Sequence, residues 1–267
     1  MRLDCVLTAV NENQLYLDFV PFFIDCWKAL YPGVQTRVIL IANEIPDRFH
    51  KYAENIILFP PIKDVSTAFT SQYIRILYPA LLSEFTGGIM ITDIDDMPMN
   101  RIFFTENIEA IPDDRWINMR DWRTHDQICC CWQVATQKTW MEVFKIADTS
   151  EIIARIKGVS SQVNYADTHG GDGWFTDQQD LFKYVGAWAN STGKYVSLRD
   201  ADTGFNRLDR AYHANALCSG DGRLYDAIRR GEFADYHALR PYQTFKTVNE
   251  AILATIKESC LQCPSTN

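Results

Sequence analysis

Apolar residues follow two different spacings along the first hundred positions of the chain. Short apolar runs, typical of buried strands, alternate with longer stretches in which apolar residues recur at helical spacing. The predicted strands span residues 5–10, 37–42, 56–59 and 88–92, and the predicted helices span 16–30 and 70–84. This alternation predicts a mostly parallel sheet that is covered by helices on both faces.

The pattern is less regular after residue 102. It predicts strands at 116–119 and 128–135, and helices at 137–146, 150–156 and 248–259. Residues 158–173 are rich in Ser, Gly, Asp and Asn, which predicts a long surface loop before a helix that begins near Thr176. A length of 267 residues fits one α/β domain with two functional halves.

The net charge of −8 disfavours partners that are bound through non-specific phosphate contacts, such as nucleic acids or anionic membrane surfaces. The start of the chain lacks the basic segment and the apolar stretch of a secretory signal. No run approaches the roughly 18 apolar residues that cross a bilayer. We therefore expect a soluble, cytoplasmic protein without a transmembrane segment.

Eight cysteines are scattered along the chain, which fits reduced thiols in the cytosol better than a disulfide framework. Cys260 and Cys263 form a CxxC near the C-terminus, where a zinc site would have to recruit distant ligands, so a frayed helix end is favoured. Cys129, Cys130 and Cys131 are consecutive. On a strand their side chains would alternate between faces rather than converge on one metal, which predicts core packing.

A cluster of carboxylates follows the predicted fourth strand. Asp93, Asp95 and Asp96 come at its carboxyl end, the edge at which open α/β sheets bind ligands. Such close carboxylates repel one another unless a cation neutralises them, and Mg²⁺ or Mn²⁺ prefer oxygen ligands. The spacing directs Asp93 and Asp95 toward one ion and Ile94 into the core. A solvated acidic turn before Pro98 is the alternative.

Residues 71–82, SQYIRILYPALL, followed by residues 88–96, GIMITDIDD, resemble the Y-x-R-hydrophobic-x-x-P-x-L-L … D-x-D stretch of GT-A glycosyltransferases. The resemblance covers roughly the first hundred residues. It implies the GT-A fold, a Rossmann-like α/β domain with a mixed, mostly parallel sheet flanked by helices. The implied organisation is one catalytic domain over 1–267, with a nucleotide-sugar-binding half over about 1–100, an acceptor half over about 101–245, and a C-terminal helix and tail over 246–267.

By this resemblance the chain holds a nucleotide-sugar donor through a divalent ion, Mn²⁺ or Mg²⁺. The expected metal ligands are Asp93, Asp95 and His237, with a core histidine as the alternative role of His237 and with His213 as the alternative ligand. Arg75 is expected to contact the donor, or else to be a surface cation. The residues expected to bind the donor are Thr8, Ala9, Val10, Asn11, Tyr16, Arg75, Asp93, Ile94, Asp95 and Gln178.

Asp177-Gln178 resembles the D-Q element that follows the acceptor loop in these enzymes. Asp177 is the expected catalytic residue, as the base that removes the acceptor proton, and Asp172 is the second choice. A helix cap formed by Thr176 or Asp177 is the alternative interpretation. Aromatic residues that can stack on sugar rings, although core packing is their more common role, are Trp122, Trp132, Trp174 and Tyr242.

The implied activity is transfer of a hexosyl or pentosyl unit from a nucleotide-diphosphate sugar, with UDP-sugar favoured, to a glycan or another hydroxyl acceptor. Inversion is favoured over retention, and a soluble enzyme of this type suits a bacterial or viral source. One alternative is a phosphatase similar to haloacid dehalogenases, although their motif normally lies on the first strand. The others are a sugar nucleotidyltransferase, whose Gly-rich loop is missing near the start of the chain, and a non-catalytic carbohydrate-binding protein.

Overall fold

A computed structural model describes residues 1–121 and 124–262 of the chain, and side chains as far as residue 258. The strands within these residues are β1 (Leu3–Asn11), β2 (Gln35–Ile41), β3 (Ile56–Phe59), β4 (Gly88–Ile91), β5 (Asp96–Pro98), β6 (Trp116–Asn118), β7 (Gln133–Thr136), β8 (Tyr195–Ser197), β9 (Arg207–Asp209) and β10 (Asp235–His237).

The α-helices of the described residues are α1 (Gln14–Leu17), α2 (Val20–Leu30), α3 (Thr67–Ile74), α4 (Phe103–Glu109), α5 (Gln137–Phe144), α6 (Thr149–Ser160), α7 (Thr176–Thr192), α8 (Asp200–Thr203), α9 (Arg210–Ser219), α10 (Gly222–Arg229) and α11 (Lys246–Gln262). Two 3₁₀ helices span Asp47–Asn55 and Tyr78–Leu81.

Seven strands form one sheet in the order β3-β2-β1-β4-β7-β6-β8. Strand β7 is antiparallel to its neighbours β4 and β6, and the other pairs are parallel. The chain runs outward from β1 through β2 to β3 and then returns to place β4 on the other side of β1. The carboxyl ends of β1 and β4 therefore flank a switch point, where open α/β sheets form a crevice for ligands. The predicted mixed, mostly parallel sheet flanked by helices is confirmed.

Both faces of the sheet are buried, because apolar residues occupy successive positions of its central strands. In β4, Met90 belongs to one core together with Trp27 of α2. Ile91, on the opposite face, belongs to a second core with Tyr73 of α3 and Trp140 of α5. Since every residue of β4 is buried, the backbone that leads into the acidic cluster is held by packing on both sides.

The predicted helix over 70–84 is wrong in its extent. Helix α3 starts earlier, where the Ser66 hydroxyl accepts a hydrogen bond from the Phe69 backbone N–H at 3.4 Å, and it ends before Arg75. Pro79 lies in the 3₁₀ helix Tyr78–Leu81 and lacks a backbone N–H, so it cannot donate to the Arg75 carbonyl as a continued α-helix would require. The predicted helix over 16–30 is likewise divided into α1 and α2.

The predicted strand over 128–135 is also wrong in its extent, because β7 begins only at Gln133. Trp132 has a φ of 63°, a left-handed conformation that costs a residue with a side chain about 1–2 kcal/mol. The indole of Trp132 is fully buried, so packing holds this backbone in place. As a result Cys129–Cys131 precede the strand and lie beside the acidic cluster rather than alternating across the sheet.

The loop and the last helix agree with the sequence pattern. The loop runs from 161 to 175 because α6 extends to Ser160, and α7 begins at Thr176 as predicted. Trp122, Cys263, the tail and the side chain of Cys260 lie outside the described part of the chain. Within that part, no helix combines the length and the apolar character needed to cross a bilayer.

A second sheet of three strands, in the order β5-β10-β9, joins the acidic cluster to the C-terminal segment. His237 on β10 pairs with Asp96 on one side and with Asp209 on the other. The hydroxyl of Tyr236 donates to Asn249 Oδ1 at 2.6 Å and accepts from the backbone N–H of Leu239 at 3.0 Å. This buried network fixes β10 against α11, and so fixes the position of His237.

Candidate active site

A cleft of about 1050 Å³, including the space open to solvent, lies at the carboxyl ends of β1 and β4. Its lining comes from six parts of the chain: the end of β1 with α1, the helix α3 with Arg75, the turn after β4, the segment before β7, the loop at 161–175 with the start of α7, and the β9 and β10 region. The cleft therefore occupies the switch point of the sheet. Carboxylates and guanidinium groups meet on its floor.

Arg75 connects two carboxylates at the floor of the cleft. One of its terminal nitrogens contacts Asp93 Oδ1, and the other donates to Asp177 Oδ2 at 2.8 Å. The side chain of Asp177 is only 2% exposed, whereas that of Asp93 is 40% exposed. Although desolvation opposes the effect, the Arg75 guanidinium holds the pKa of Asp93 below its ordinary value. Asp93 is therefore the ionised acid that faces the cleft, and Asp177 lies behind Arg75.

Asp95 is enclosed by cationic side chains from the last third of the chain. Its Oδ2 accepts from Arg210 Nη1 at 2.7 Å and lies 3.6 Å from Arg240 Nη1. Nε2 of His237 is 3.8 Å from the same oxygen, while Nδ1 of His237 is 3.3 Å from both carboxylate oxygens of Asp209. The Asp209 carboxylate thus orients the imidazole so that Nε2 faces Asp95.

Asp96 is the most deeply buried acid of the cluster. Its Oδ2 accepts from Arg207 Nη2 at 3.2 Å, and Nε of Arg207 donates to Asp235 Oδ2 at 2.9 Å. The side chains of Asp96 and Asp235 are 2% and 0% exposed. Burial raises the pKa of Asp96 to about 6, against the opposing charge of Arg207. A single guanidinium therefore compensates two carboxylates that have no access to solvent.

Two cysteines contact the carboxylates, and the prediction that they serve only core packing was incomplete. Cys131 Sγ lies 2.9 Å from Asp93 Oδ2 and 3.1 Å from Asp96 Oδ2, and Cys130 Sγ lies 3.3 Å from Asp177 Oδ2. Contact with the Cys129 sulfur, burial and the Asp93 charge all raise the pKa of Cys131. Its thiol is therefore protonated, and its single S–H can donate to either Asp93 or Asp96.

Several buried polar atoms around the cleft have no hydrogen-bond partner among the residues that the structure describes. They are Thr8 Oγ1, Arg75 Nε, Asp96 Oδ1 and Gln178 Oε1. Buried polar groups are normally satisfied, because an unmade hydrogen bond in the interior costs about 1–3 kcal/mol. Arg75, Asp96 and Gln178 line the cleft, where a ligand, an ion or ordered water can complete the hydrogen bonding of these atoms.

Most of the residues predicted from the sequence meet in this cleft. The predicted residues that line it are Ala9, Val10, Asn11, Tyr16, Arg75, Asp93, Ile94, Asp95, Gln178 and His237. Ile94 also contributes to the core, as predicted. His213, the alternative ligand, instead has Nδ1 3.1 Å from the backbone nitrogen of Asp209, at the start of α9.

Three predicted residues lie outside the lining of the cleft. Thr8 is buried within β1, Asp172 is exposed, and the side chain of Asp177 is buried beside Arg75. The catalytic roles of Asp172 and Asp177 stay predictions. Asp167, from the same loop as Asp172, does line the cleft.

Sequence reasoning found Arg75 but missed the other three arginines that line the cleft. Arg207 begins β9, Arg210 begins α9, and Arg240 follows β10. Each comes from a short element with weak periodicity. A signal was available only for Arg240, because residues 237–242, HALRPY, resemble a His … Lys-Pro-Trp segment near the C-terminus of some GT-A glycosyltransferases, with Arg240 at the lysine.

One group of side chains in the described part of the chain brings three metal-ligating atoms within 4.8 Å of one another: Asp93, Asp96 and Cys131. The protonated Cys131 thiol is a poor metal ligand, because metals bind the thiolate. Asp95 and His237 form a second pair, whose facing atoms are 3.8 Å apart. An imidazole whose other nitrogen meets a carboxylate is the usual arrangement of a metal-binding histidine.

Solved structures similar to this chain are glycosyltransferases. One is the glycosyltransferase GlyE of Streptococcus pneumoniae TIGR4, with 12% identity, a TM-score of 0.49, and coverage of 100% of this chain and 66% of GlyE. Another is the galactosyltransferase LgtC in complex with donor and acceptor sugar analogs, with 12% identity, a TM-score of 0.45, and coverage of 92% and 95%. The chain thus spans about two thirds of the length of GlyE.

A third is a glycosyltransferase involved in the glycosylation of the major capsid of PBCV-1, with 9% identity, a TM-score of 0.44, and coverage of 94% of this chain and 98% of that one. No protein-family model and no curated protein matches the sequence. At these identities the function has to be inferred from the site residues themselves.

Arg207 is the cation that pairs with both Asp96 and Asp235, so its replacement should lower the stability of the fold strongly. Arg207→Met leaves Asp96 and Asp235 unpaired in the interior, and we expect the free energy of unfolding in urea at pH 7 to fall by about 3–5 kcal/mol. The loss should be smaller at pH 5, because a buried acid with a raised pKa destabilises the fold progressively as pH rises through that pKa.

Arg229→Met is the matched control, since Arg229 and its partner Asp226 are 50% and 60% exposed. Its effect should stay within about 0.5 kcal/mol. Equal effects of the two substitutions would contradict the role of Arg207.

Proposed function

We propose that this protein is a metal-dependent glycosyltransferase that moves a sugar from a nucleoside-diphosphate sugar, with a UDP-sugar as the favoured donor, to a hydroxyl acceptor. The observation that carries the proposal is the meeting of three features in one cleft. These are the exit of β1, the Asp93–Asp95 turn after β4, and the side chains of Arg75 and His237. The cleft lies at the switch point, where open α/β sheets bind nucleotides.

The end of β1 supplies the surface for the nucleobase. Ala9, Val10 and Asn11 line the cleft beside Tyr16. The hydroxyl of Tyr16 accepts from Arg240 Nη1 at 2.9 Å, and the guanidinium lies 5.4 Å from the centre of the Tyr16 ring. This contact holds the phenol ring at the edge of the cleft, where a flat base can stack on it.

Two acids of the cleft support a divalent cation beside the diphosphate, because Asp93 and Asp96 bring carboxylate oxygens within 4.8 Å of each other. Nε2 of His237, which Asp209 orients, lies 3.8 Å from Asp95 Oδ2. Asp93, Asp95 and His237, with Asp96 beside Asp93, would hold Mn²⁺ or Mg²⁺, of which carboxylate oxygens are preferred ligands. When bound, the ion would supply charge neutralisation for the departing nucleoside diphosphate.

The arginines of the cleft would also neutralise the negative charge of the diphosphate. Arg75 and Arg240 both line it, and guanidinium groups bind phosphate oxygens through paired N–H donors. Asp177 accepts from Arg75 at 2.8 Å and accepts a second hydrogen bond from the Gln178 backbone N–H, also at 2.8 Å. We therefore assign Asp177 as a positioning residue that fixes Arg75, in place of the role of catalytic base expected from the sequence.

Inversion, the favoured stereochemical course, requires a base for the acceptor hydroxyl. Asp167 is the carboxylate of the loop at 161–175 that lines the cleft, and it is exposed. An exposed carboxylate at the mouth of the cleft is accessible to an acceptor that enters from solvent. We assign Asp167 as this base, because Asp172 on the same loop is not among the residues that line the cleft.

The structure offers less support for the other functions that the sequence left open. A phosphatase of the haloacid-dehalogenase type places its nucleophilic aspartate after the first strand, whereas β1 ends at Asn11 and the acids follow β4. A carbohydrate-binding protein has no need for three partly buried acids, whose compensation by arginines is energetically costly. A transferase that binds a nucleotide-sugar uses both the acids that follow β4 and the arginines that pair with them.

Removal of the Asp95 charge tests the proposed metal site. Asp95→Asn keeps the size of the side chain, and we expect Mn²⁺-dependent release of UDP from UDP-glucose or UDP-galactose to fall at least about 100-fold. Asp226→Asn, at an exposed position far from the cleft, is the control and should retain full activity. Undiminished Mn²⁺-dependent turnover in Asp95→Asn would refute the assignment.

Two aspartates of one loop allow a matched test of the proposed base. Asp167→Asn should lower kcat for transfer by about 100-fold or more while the affinity for UDP is retained, because general-base catalysis contributes roughly that factor. Asp172→Asn should leave kcat within about twofold. A larger loss in Asp172→Asn than in Asp167→Asn would return the role to Asp172.

A further inference from the structure

Two thiols lie side by side in the lining of the cleft. Cys129 and Cys131 both line it, and both are free thiols whose sulfurs are in hydrogen-bond contact with each other. Both pack in the core on one face of the large sheet. Cys130, which separates them in the sequence, packs in the core on the other face, where its sulfur lies 3.3 Å from Asp177 Oδ2. The fold therefore brings Cys129 and Cys131 together and keeps Cys130 apart from them.

The backbone that carries the pair is held in place before any bond forms between the two sulfurs. The carbonyl of Cys129 accepts a hydrogen bond from Gln133 Nε2 at 2.9 Å. The backbone N–H of Trp132, whose conformation is left-handed, donates to the carbonyl of Ile91 at 2.9 Å. Between these anchors the chain bends at Cys130. Because the ends of this short loop are already fixed, linking the two sulfurs would cost little further conformational entropy.

The two thiols differ in their access to solvent. Cys129 is half-buried, whereas Cys131 is only 3% exposed. A reagent that enters the cleft therefore meets the Cys129 sulfur first, and the Cys131 sulfur is reached from Cys129. Thiol–disulfide exchange proceeds in this order, since one thiol first forms a mixed disulfide with the reagent and a second thiol then displaces the reagent.

We propose that Cys129 and Cys131 form a reversible disulfide in the cleft by exchange with a small-molecule disulfide. The Cys129 sulfur bonds to one sulfur of the reagent, whose S–S bond breaks, and the first thiol leaves with the proton of Cys129. The Cys131 sulfur then bonds to the Cys129 sulfur, the mixed disulfide breaks, and the second thiol leaves with the proton of Cys131. The two cysteines are oxidised, and the reagent is reduced to two thiols.

The disulfide would change the hydrogen bonding of the acidic cluster. In the reduced form the S–H of Cys131 can donate to Asp93 Oδ2 at 2.9 Å or to Asp96 Oδ2 at 3.1 Å. A disulfide sulfur has no proton to donate, so both carboxylates lose this donor and keep only the contacts with Arg75 and Arg207. The carboxylates in turn stabilise the reduced thiol that donates to them. Oxidation of the pair and the charge of the cluster are therefore coupled.

The test uses the full chain in mixtures of reduced and oxidised glutathione, and it needs neither nucleotide nor metal. Each reaction is stopped with acid, the free thiols are alkylated under denaturing conditions, and the chain is digested with trypsin. Cleavage after Arg123 and Lys138 gives a peptide that contains Cys129, Cys130 and Cys131 and no other cysteine of the chain. The mass of this peptide counts its free thiols, and its fragmentation shows which cysteine was alkylated.

With oxidised glutathione in excess, we expect the peptide to contain one disulfide and one alkylated thiol, at Cys130, and we expect reduced glutathione to restore three free thiols. Cys131→Ser should stop at a glutathione adduct on Cys129, and Cys130→Ser is the matched control that should still form the disulfide. If Cys130→Ser fails to fold, the position of the alkylated thiol in the wild type decides the test. The proposal is overturned if the wild type forms no disulfide within this peptide, or if Cys129 or Cys131 is the alkylated residue.

The coupling to the acidic cluster is tested by the same measurement. Asp93→Asn removes the charge that stabilises the reduced Cys131 thiol, so the equilibrium constant with glutathione should shift toward the disulfide by about tenfold. Asp226→Asn removes an exposed charge outside the cleft and should leave this constant unchanged. An Asp93→Asn variant with an unchanged constant, or with a shift toward the thiols, would contradict the coupling.

Discussion

The pairing of carboxylates with guanidinium groups is the interaction on which the cleft depends. Asp93, Asp95 and Asp96 follow a fully buried strand, and each meets an arginine from another part of the chain. Breaking the pair of the buried Asp95 or Asp96 costs several kcal/mol, because the remaining charge is left without solvent or partner. These ion pairs therefore fix the small β5-β10-β9 sheet against the switch point of the large sheet.

The same pairing also prepares the cleft for an anionic ligand. The arginines are held by aspartates before a ligand arrives, so little conformational freedom remains to be lost on binding. Asp96 Oδ1 and Gln178 Oε1 are buried in residues that line the cleft and have no hydrogen-bond partner within the described residues, so a ligand can supply one.

The sequence predicted the parts of the molecule that depend on local pattern. The central strands were found because their residues are apolar throughout, and the acidic turn was found because it follows one of them. The end of α3 at Ile74 was missed because the helical spacing of apolar residues continues past it. The left-handed backbone of Trp132 was missed because the apolar run around it is typical of a continuous strand. Arg207 and Arg210 were missed because their role exists only through contacts made across long stretches of sequence. The burial of Asp177 beneath Arg75 could not be seen for the same reason.

The central claim is that this cleft binds a nucleoside diphosphate through a divalent cation, and calorimetric titration of the chain with UDP and with GDP tests it most directly. Each titration is made once with Mn²⁺ and once with EDTA. The account predicts that UDP binds with Mn²⁺, that GDP binds more weakly, and that binding disappears with EDTA. Absence of nucleotide binding in the presence of Mn²⁺, or UDP binding that is unaffected by EDTA, would contradict it.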